Sequence, residues 1–125
     1  MIMKNTYILG IGVEKDNMSL VDKILGIQHN NETHLGWVLE IEEKQESIDY
    51  INFFLNILEG KYNALEQIGV TRDMISIWRY YEYDEQCNFE FSPQELKRMG
   101  DNGITFCISC WDTGEPYPSF EKVLN

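Results

Sequence analysis

The segment from Ile75 to Gly114 reads ISIWRYYEYDEQCNFEFSPQELKRMGDNGITFCISCWDTG, and its local patterns agree with one another. Apolar and polar residues alternate from Asp73 to Tyr83, which predicts a strand. They alternate again from Cys87 to Phe91, after the polar residues 84–86. This second alternation predicts a turn and an antiparallel partner strand, so the first part of the segment is a predicted β-hairpin.

The second part of the segment predicts a helix followed by a last strand. Ser92 is a favourable N-cap, Pro93 takes the first helical position, and Glu95 completes a capping box. The helix is expected to end by Gly100, and the alternation from Ile104 to Trp111 predicts the last strand. The helix connects the strand Cys87–Phe91 to the strand Ile104–Trp111, which favours a parallel pair of these two strands, whereas the hairpin is antiparallel. The predicted sheet is therefore mixed.

The N-terminal part of the chain predicts two further strands and a short helix. Alternation over residues 5–13 predicts the first strand, and a helix is expected from about Asp16 to Gly26. The polar stretch from Gln28 to Thr33 is expected to be a loop. Alternation returns from Gly36 to Glu42, which predicts the second strand.

The middle of the chain predicts a long helix that breaks. Ser47 is the expected N-cap, and Asp49 suits the first turn because a carboxylate is favourable near the helix N-terminus. Gly60 lies within the run, so we expect one helix to about Glu59 and a short second helix to about Gly69, with one continuous helix as the alternative. Apolar residues recur at steps of three and four at Ile48, Ile51, Leu55, Leu58, Tyr62 and Leu65.

These elements predict a single α+β domain over residues 1–125. The predicted order is β-α-β-α-(α)-β-β-α-β, and the natural arrangement is a two-layer sandwich in which helices cover one face of a five-stranded mixed sheet. The helices are expected to cover the face that bears Leu9, Ile11, Leu39, Ile75, Ile77, Phe89, Phe91, Phe106 and Ile108.

The charge of the chain limits its partners. Ten Lys and Arg residues against 21 Asp and Glu residues give a net charge of −11. Phosphates would be repelled, so neither nucleic acid nor an anionic membrane is an expected partner, and a basic protein is favoured. The N-terminus does not resemble a signal peptide and no apolar run is long enough to span a membrane. Three cysteines are then expected to be reduced thiols in the cytoplasm.

No residue pattern predicts catalysis, a cofactor or a metal site. Cys107 and Cys110 form a CxxC motif, but it lies in a predicted strand, where residues three apart point to opposite faces. His29, Glu32 and His34 lie in a polar loop and their spacing is not specific for a metal, so we expect two exposed loop histidines. The chain is therefore predicted not to be an enzyme.

The strongest functional candidate is the sheet face opposite the helices, which combines aromatic residues with carboxylates. Such a mixture is typical of a protein interface with a cationic partner. Homodimerisation through this face, or a C-terminal tail that covers Trp78 and Trp111, is the alternative. Together with acidic residues at the hairpin tip, the predicted partner-binding residues are Glu40, Glu42, Trp78, Tyr80, Glu82, Asp84, Glu85, Glu90 and Trp111.

The last third of the chain also resembles a known family. Phe91–Leu96 reads FSPQEL, Gly103 follows the helix, Ile108–Asp112 reads ISCWD, and Gly36-Trp37 occurs earlier. This pattern is similar to an uncharacterised family of small bacterial proteins catalogued as a domain of unknown function, which has no assigned catalytic residues. Small acidic proteins of this kind more loosely resemble the immunity proteins encoded beside bacterial toxins.

Charge, aromatic content and resemblance favour one function. We expect an immunity protein, or antitoxin, that neutralises a secreted toxin such as a basic nuclease by occlusion. The alternative is a non-catalytic housekeeping module that binds a small ligand or a protein subunit through the same face.

Overall fold

A computed structural model of the chain describes residues 5–44, 47–83 and 88–112, with the backbone alone described at 111 and 112. The strands are β1 (Asn5–Ile11), β2 (Asn31–Thr33), β3 (Gly36–Glu42), β4 (Ile75–Tyr83) and β5 (Thr105–Asp112). The helices are α1 (Lys15–Leu25), α2 (Tyr50–Leu58), α3 (Tyr62–Gln67) and α4 (Pro93–Asn102), and a 3₁₀ turn, Arg72–Met74, precedes β4.

The five strands form one mixed sheet in the order β2-β3-β1-β4-β5. The pairs β2–β3, β3–β1 and β1–β4 are antiparallel, and β4–β5 is parallel. The predicted α+β class, with helices packed against a five-stranded mixed sheet, is confirmed.

The predicted hairpin partner of β4 was wrong. Residues 88–91 do not form a strand, and the predicted turn 84–86 and Cys87 lie outside the described residues. The alternating aromatic residues serve the core side instead: the Phe89 ring lies under the guanidinium of Arg79, and the Phe91 ring packs edge-on against Phe106. Period-two spacing suits an extended connection as well as a strand, because both place alternate side chains on one side.

The fifth strand is β2, which lies within the stretch predicted to be a loop. The observed order is therefore β-α-β-β-α-α-β-α-β. The parallel partner of β5 is β4, connected to it through α4, and not the segment Cys87–Phe91 that was predicted. The tight connection from β2 to β3 depends on Gly36, whose φ is +92°. A Cβ atom there would lie 2.6 Å from the carbonyl oxygen of Ile11 and 2.8 Å from that of Val13, so only glycine fits.

One face of the sheet and all four helices share the hydrophobic core. Every buried residue of the helices belongs to the same cluster as the buried residues of β1, β3 and β4 on that face. The largest fully buried side chains include Tyr7, Leu9, Ile11, Trp37, Phe54, Leu58, Ile75 and Ile77. Burial of each aliphatic side chain contributes about 1.5–3 kcal/mol, so this layer holds the domain together.

The helix boundaries follow local chemistry, with two corrections. Gly60 has a φ of +74° between α2 and α3, which confirms the predicted break. The N-cap of α2 is Asp49, whose side chain accepts a hydrogen bond from the Asn52 backbone, and the predicted cap Ser47 lies two residues earlier. Helix α4 continues through Gly100 to Asn102, and its C-cap is Gly103, whose φ is +67°.

The predicted core positions are mostly buried. Leu9, Ile11, Leu39, Ile75 and Ile77 are buried in the cluster, and Phe91 and Phe106 are partly buried against it. Ile108 was predicted to be covered but is 40% exposed, because it lies on the edge strand β5, beyond the cover of the helices. Within the described ranges, no helix has the length and apolar content to cross a membrane.

Candidate functional site

The sheet face opposite the helices, here called the helix-free face, is organised in rows that run across the strands. Alternation places residues 6, 8 and 10 of β1 on this face, and the register sets their neighbours on β3, β4 and β5. One row is Glu40, Ile8, Trp78 and Cys107; the next is Glu42, Thr6, Tyr80 and Ser109.

Two aromatic side chains are fixed side by side on β4. The rings of Trp78 and Tyr80 are stacked, with centroids 5.7 Å apart and planes 12° from parallel. The indole Nε1 of Trp78 donates a hydrogen bond of 2.8 Å to Oγ of Ser76. Both rings are half-buried, so each retains surface that a partner could contact. The order of this pair limits the side-chain entropy lost on binding.

Glu40 is held in place by the asparagines before and in β2. The Asn30 side chain bonds both backbone groups of Glu40: its Nδ2 donates to the carbonyl oxygen at 2.8 Å, and its Oδ1 accepts from the amide at 2.7 Å. Asn31 Nδ2 donates to the carboxylate Oε2 at 3.2 Å. Glu40 therefore has a defined position, one row from Glu42 on the same strand.

Positive charge is segregated from this face. Arg79 is the only basic residue in the strands of the described part of the chain, and it lies on the side of Tyr7 and the core. Its guanidinium is 4.0 Å from the ring centroid of Phe89, and its Nε donates to Oδ1 of Asn5 at 3.0 Å. The strand positions of the helix-free face thus carry the carboxylates of Glu40, Glu42 and Glu82 and no Lys or Arg.

A shallow cavity of about 280 Å³ opens on the helix-free face. It lies between the acidic end of β3 and the second half of β4, with β1 as its floor. Its walls include Thr6, Ile8, Asn31, Glu40, Tyr80 and Glu82. The cavity therefore combines an apolar floor, an aromatic wall and two carboxylates.

Part of the helix-free face is covered. Ile8 is 6% exposed and Val38 is fully buried, although neither belongs to the helical core. Leu35, from the β2–β3 turn, lies over Gly10, where an added Cβ would approach its side chain to 3.3 Å. No described helix covers this face, but the β2–β3 turn packs over one end of it, and the acidic and aromatic residues lie beyond that end.

The structure unites some predicted partner-binding residues and separates others. Glu40, Glu42, Trp78, Tyr80 and Glu82 share the helix-free face. Glu90 was expected on a strand of that face, but it is an exposed residue of the connection between β4 and α4.

The remaining predicted residues are only partly described. Asp84 and Glu85 lie outside the described residues, and the tail expected to cover the tryptophans does so too. The backbone of Trp111 pairs with Glu82 in the register of β4 and β5.

The sequence interpretation missed Thr6, Asn31 and Thr33, which line the cavity. Asn31 and Thr33 were assigned to a loop because β2 has only three residues and all are polar. The signal that could have found them is the glycine at 36, which permits a hairpin turn directly before a strongly alternating strand.

The other chemical candidates are separated or already bonded. Cys107 pairs in register with Trp78 and Cys110 with Tyr81, so the two thiols lie on opposite faces as predicted. Burial raises the pKa of the Cys107 thiol, which disfavours the reactive thiolate.

His29 was predicted to be exposed but is half-buried and hydrogen-bonded to Asp22. Among the described residues, no three His, Cys, Asp or Glu side chains converge to hold a metal ion.

Comparisons with known protein families, characterised proteins and solved structures find no match for this chain. The resemblances noted in the sequence, to a family of unknown function and to immunity proteins, therefore stay predictions.

Proposed function

We propose that this chain is a cytoplasmic immunity protein that binds and neutralises a secreted bacterial toxin. The observation that carries the proposal is the composition of the helix-free face: three carboxylates share it with a stacked Trp78–Tyr80 pair, and no basic residue occupies its described strand positions. A basic toxin, for example a nuclease, is complementary to this surface.

The aromatic and acidic residues of the face have different roles, which support occlusion of a partner rather than catalysis. Trp78 and Tyr80 offer large, ordered apolar surfaces, which are the commonest energetic centres of protein interfaces. Glu40, Glu42 and Glu82 lie on the same face and would attract lysines and arginines, which speeds encounter and orients the partner. Asp84, Glu85, Glu90 and Trp111 would extend the contact beyond the described face.

The test is co-expression with the product of the adjacent upstream gene, followed by purification of the complex. We expect a stable complex and loss of toxicity. Replacement of Trp78 by Ala should weaken binding by about 30-fold or more, as expected for a central interface aromatic. Circular dichroism and thermal melting establish that the variant is folded.

Matched variants separate the proposed face from general acidity. Glu40→Gln/Glu82→Gln should lower the association rate at low salt, whereas Glu59→Gln/Glu66→Gln removes the same charge from exposed positions on the helical layer and should have little effect. The proposal fails if the neighbouring gene encodes nothing toxic. It also fails if the helical variants weaken the complex as much as the face variants.

A second candidate is a housekeeping module that binds a small ligand, and the cavity at Ile8 and Tyr80 favours it. If this candidate is right, a metabolite should raise the melting temperature of the protein, and Tyr80→Ala should abolish that rise. Homodimerisation through the face is a further outcome, and sedimentation velocity of the free chain at several concentrations distinguishes it.

A further inference from the structure

The cavity on the helix-free face has the size of a side-chain subsite. Its volume of about 280 Å³ is slightly smaller than the roughly 300–1,000 Å³ of pockets that enclose whole small ligands. It opens outward from the sheet, beside the stacked rings of Trp78 and Tyr80. An extended group that projects from a partner could enter it while the partner's surface covers the rings.

The charges at the cavity favour a cation. Glu82 is half-buried, and within the part of the chain that is described its carboxylate makes no hydrogen bond or ion pair. A carboxylate that is partly removed from water gains free energy when an opposite charge approaches it. Glu40, on the other side of the cavity, is already oriented by Asn30 and Asn31, so it needs little rearrangement.

The remaining walls favour a guanidinium over an ammonium group. Tyr80 supplies an aromatic wall, and Ile8 supplies an apolar floor. A guanidinium is planar, stacks on aromatic rings, is weakly hydrated and donates hydrogen bonds to carboxylates in a fork. An ammonium group is compact and strongly hydrated, so it would leave the aromatic and apolar surfaces poorly used.

We propose that this cavity receives one arginine side chain of the basic partner, between Glu40 and Glu82 and against Tyr80. The inference rests on the proposed function, because it names the group by which the partner is anchored. It is specific enough to be tested without the partner.

The probe is a capped Gly-Arg-Gly peptide, titrated into the ¹⁵N-labelled protein and followed by NMR. We expect saturable shifts of the backbone amides of Ile8, Glu40 and Glu82 and of the Trp78 indole. The peptide with citrulline in place of arginine has the same shape without the charge and should not bind. The lysine peptide should bind at least about threefold more weakly, because it lacks the planar fork.

Variants locate the binding. Glu40→Gln/Glu82→Gln should weaken the arginine peptide at least about tenfold, and Glu59→Gln/Glu66→Gln, with the same net charge, should change it by less than about twofold. The amide spectrum of each variant reports whether it is folded, and Glu82→Gln alone is the milder second variant. The inference is overturned if the arginine peptide does not bind, or if the citrulline or the lysine peptide binds as tightly as the arginine peptide. It is also overturned if the two double variants weaken binding equally.

The outcome also separates this inference from the proposed function. If the toxin complex forms and depends on Trp78 while the arginine peptide does not bind, the immunity role stands and the arginine subsite is lost. If the peptide binds as expected and the neighbouring gene product is harmless, the subsite stands and the immunity role is lost.

Discussion

At the level of single residues, Asp22 accepts three hydrogen bonds outside the helix-free face. Its Oδ1 accepts hydrogen bonds from the backbone amide of His29 at 2.8 Å, from Nδ1 of His29 at 2.9 Å and from Nε1 of Trp37 at 2.8 Å. Nε2 of His29 also lies 3.5 Å from Glu32. One carboxylate thus joins α1, the following loop and β3. Asn30 and Asn31, which position Glu40, come directly after His29 in the chain.

These bonds shift both pKa values. Burial acts to raise the pKa of Asp22, but the hydrogen bonds from His29 and Trp37 outweigh it and hold the pKa below the ordinary 3.8. The hydrogen bond with Asp22 raises the pKa of His29 above the ordinary 6.5. The His29 contribution to stability is therefore complete below pH 6.5 and is lost as the pH rises through the folded-state pKa. The Asp22 contribution is complete above pH 3.8 and is lost as the pH falls through its lowered pKa.

We expect His29→Gln to destabilise the protein by about 1 kcal/mol at pH values between 3.8 and 6.5, and by less in alkaline solution. Urea unfolding across this range measures the difference. His34→Gln is the matched control, because His34 is exposed and is not among the partners of Asp22. If His29→Gln lowers the free energy of unfolding equally in acidic and alkaline solution, the charged His29–Asp22 pair does not contribute to stability.

Gly36 is the residue whose replacement should cost most for its size. Gly36→Ala would combine a φ of +92° with a Cβ 2.6 Å from a backbone oxygen, so we expect a loss of at least about 2 kcal/mol in the free energy of unfolding. Gly100→Ala is the control: its Cβ would meet nothing within 4 Å, and alanine favours a helix by about 0.5–1 kcal/mol. Similar effects of the two substitutions would contradict the geometry.

At the level of elements, α4 is defined by its own sequence and fastened by its neighbours. Ser92 Oγ accepts from the Glu95 amide at 3.1 Å, and Glu95 Oε1 accepts from the Ser92 amide at 3.0 Å, which is the capping box predicted from sequence. Arg98 then bonds the side chains of Asn52 and Asn56 on α2. The crossover between the parallel strands β4 and β5 is therefore held at both its start and its middle.

We expect Ser92→Ala to lower the free energy of unfolding by about 1 kcal/mol, because the backbone amide of Glu95 loses the hydroxyl oxygen that accepts its hydrogen bond. Gln94→Ala, an exposed position in the same turn, should change it by less than about 0.5 kcal/mol. Chemical denaturation measures both. A neutral Ser92→Ala would mean that α4 is held by packing alone.

At the level of the whole molecule, the net charge of −11 opposes compactness, and part of it is concentrated on the helix-free face. Glu40 and Glu42 are two residues apart on one strand and face the same side as Glu82. Such a surface suits a cationic partner but repels itself in the free protein.

We expect the melting temperature of the free protein to rise when sodium chloride is increased from about 20 to 200 mM, because salt screens repulsion between surface charges. The increase should be smaller for Glu40→Gln/Glu42→Gln/Glu82→Gln than for wild type. Differential scanning calorimetry measures both. A melting temperature that falls with salt would show that attractive ion pairs outweigh the repulsion.

Local patterns were sufficient for the class and for most elements. The strand Gly36–Glu42, the capped α4 and the break at Gly60 were predictable because alternation, capping and glycine conformations act over a few residues. The same reasoning placed Trp78, Tyr80 and the neighbouring carboxylates on one face, since a strand's alternation does not depend on its partners.

Long-range packing decided the rest. Residues 88–91 alternate as a strand would, yet they form a connection whose phenylalanines contact Arg79 and Phe106. The polar segment β2 is a strand because Gly36 lets the chain turn back and pair β2 with β3. The cavity exists only because the register sets Glu40, Ile8 and Tyr80 on three different strands beside one another. Pairing between strands distant in the chain is a property of the folded sheet, so no local pattern could reveal it.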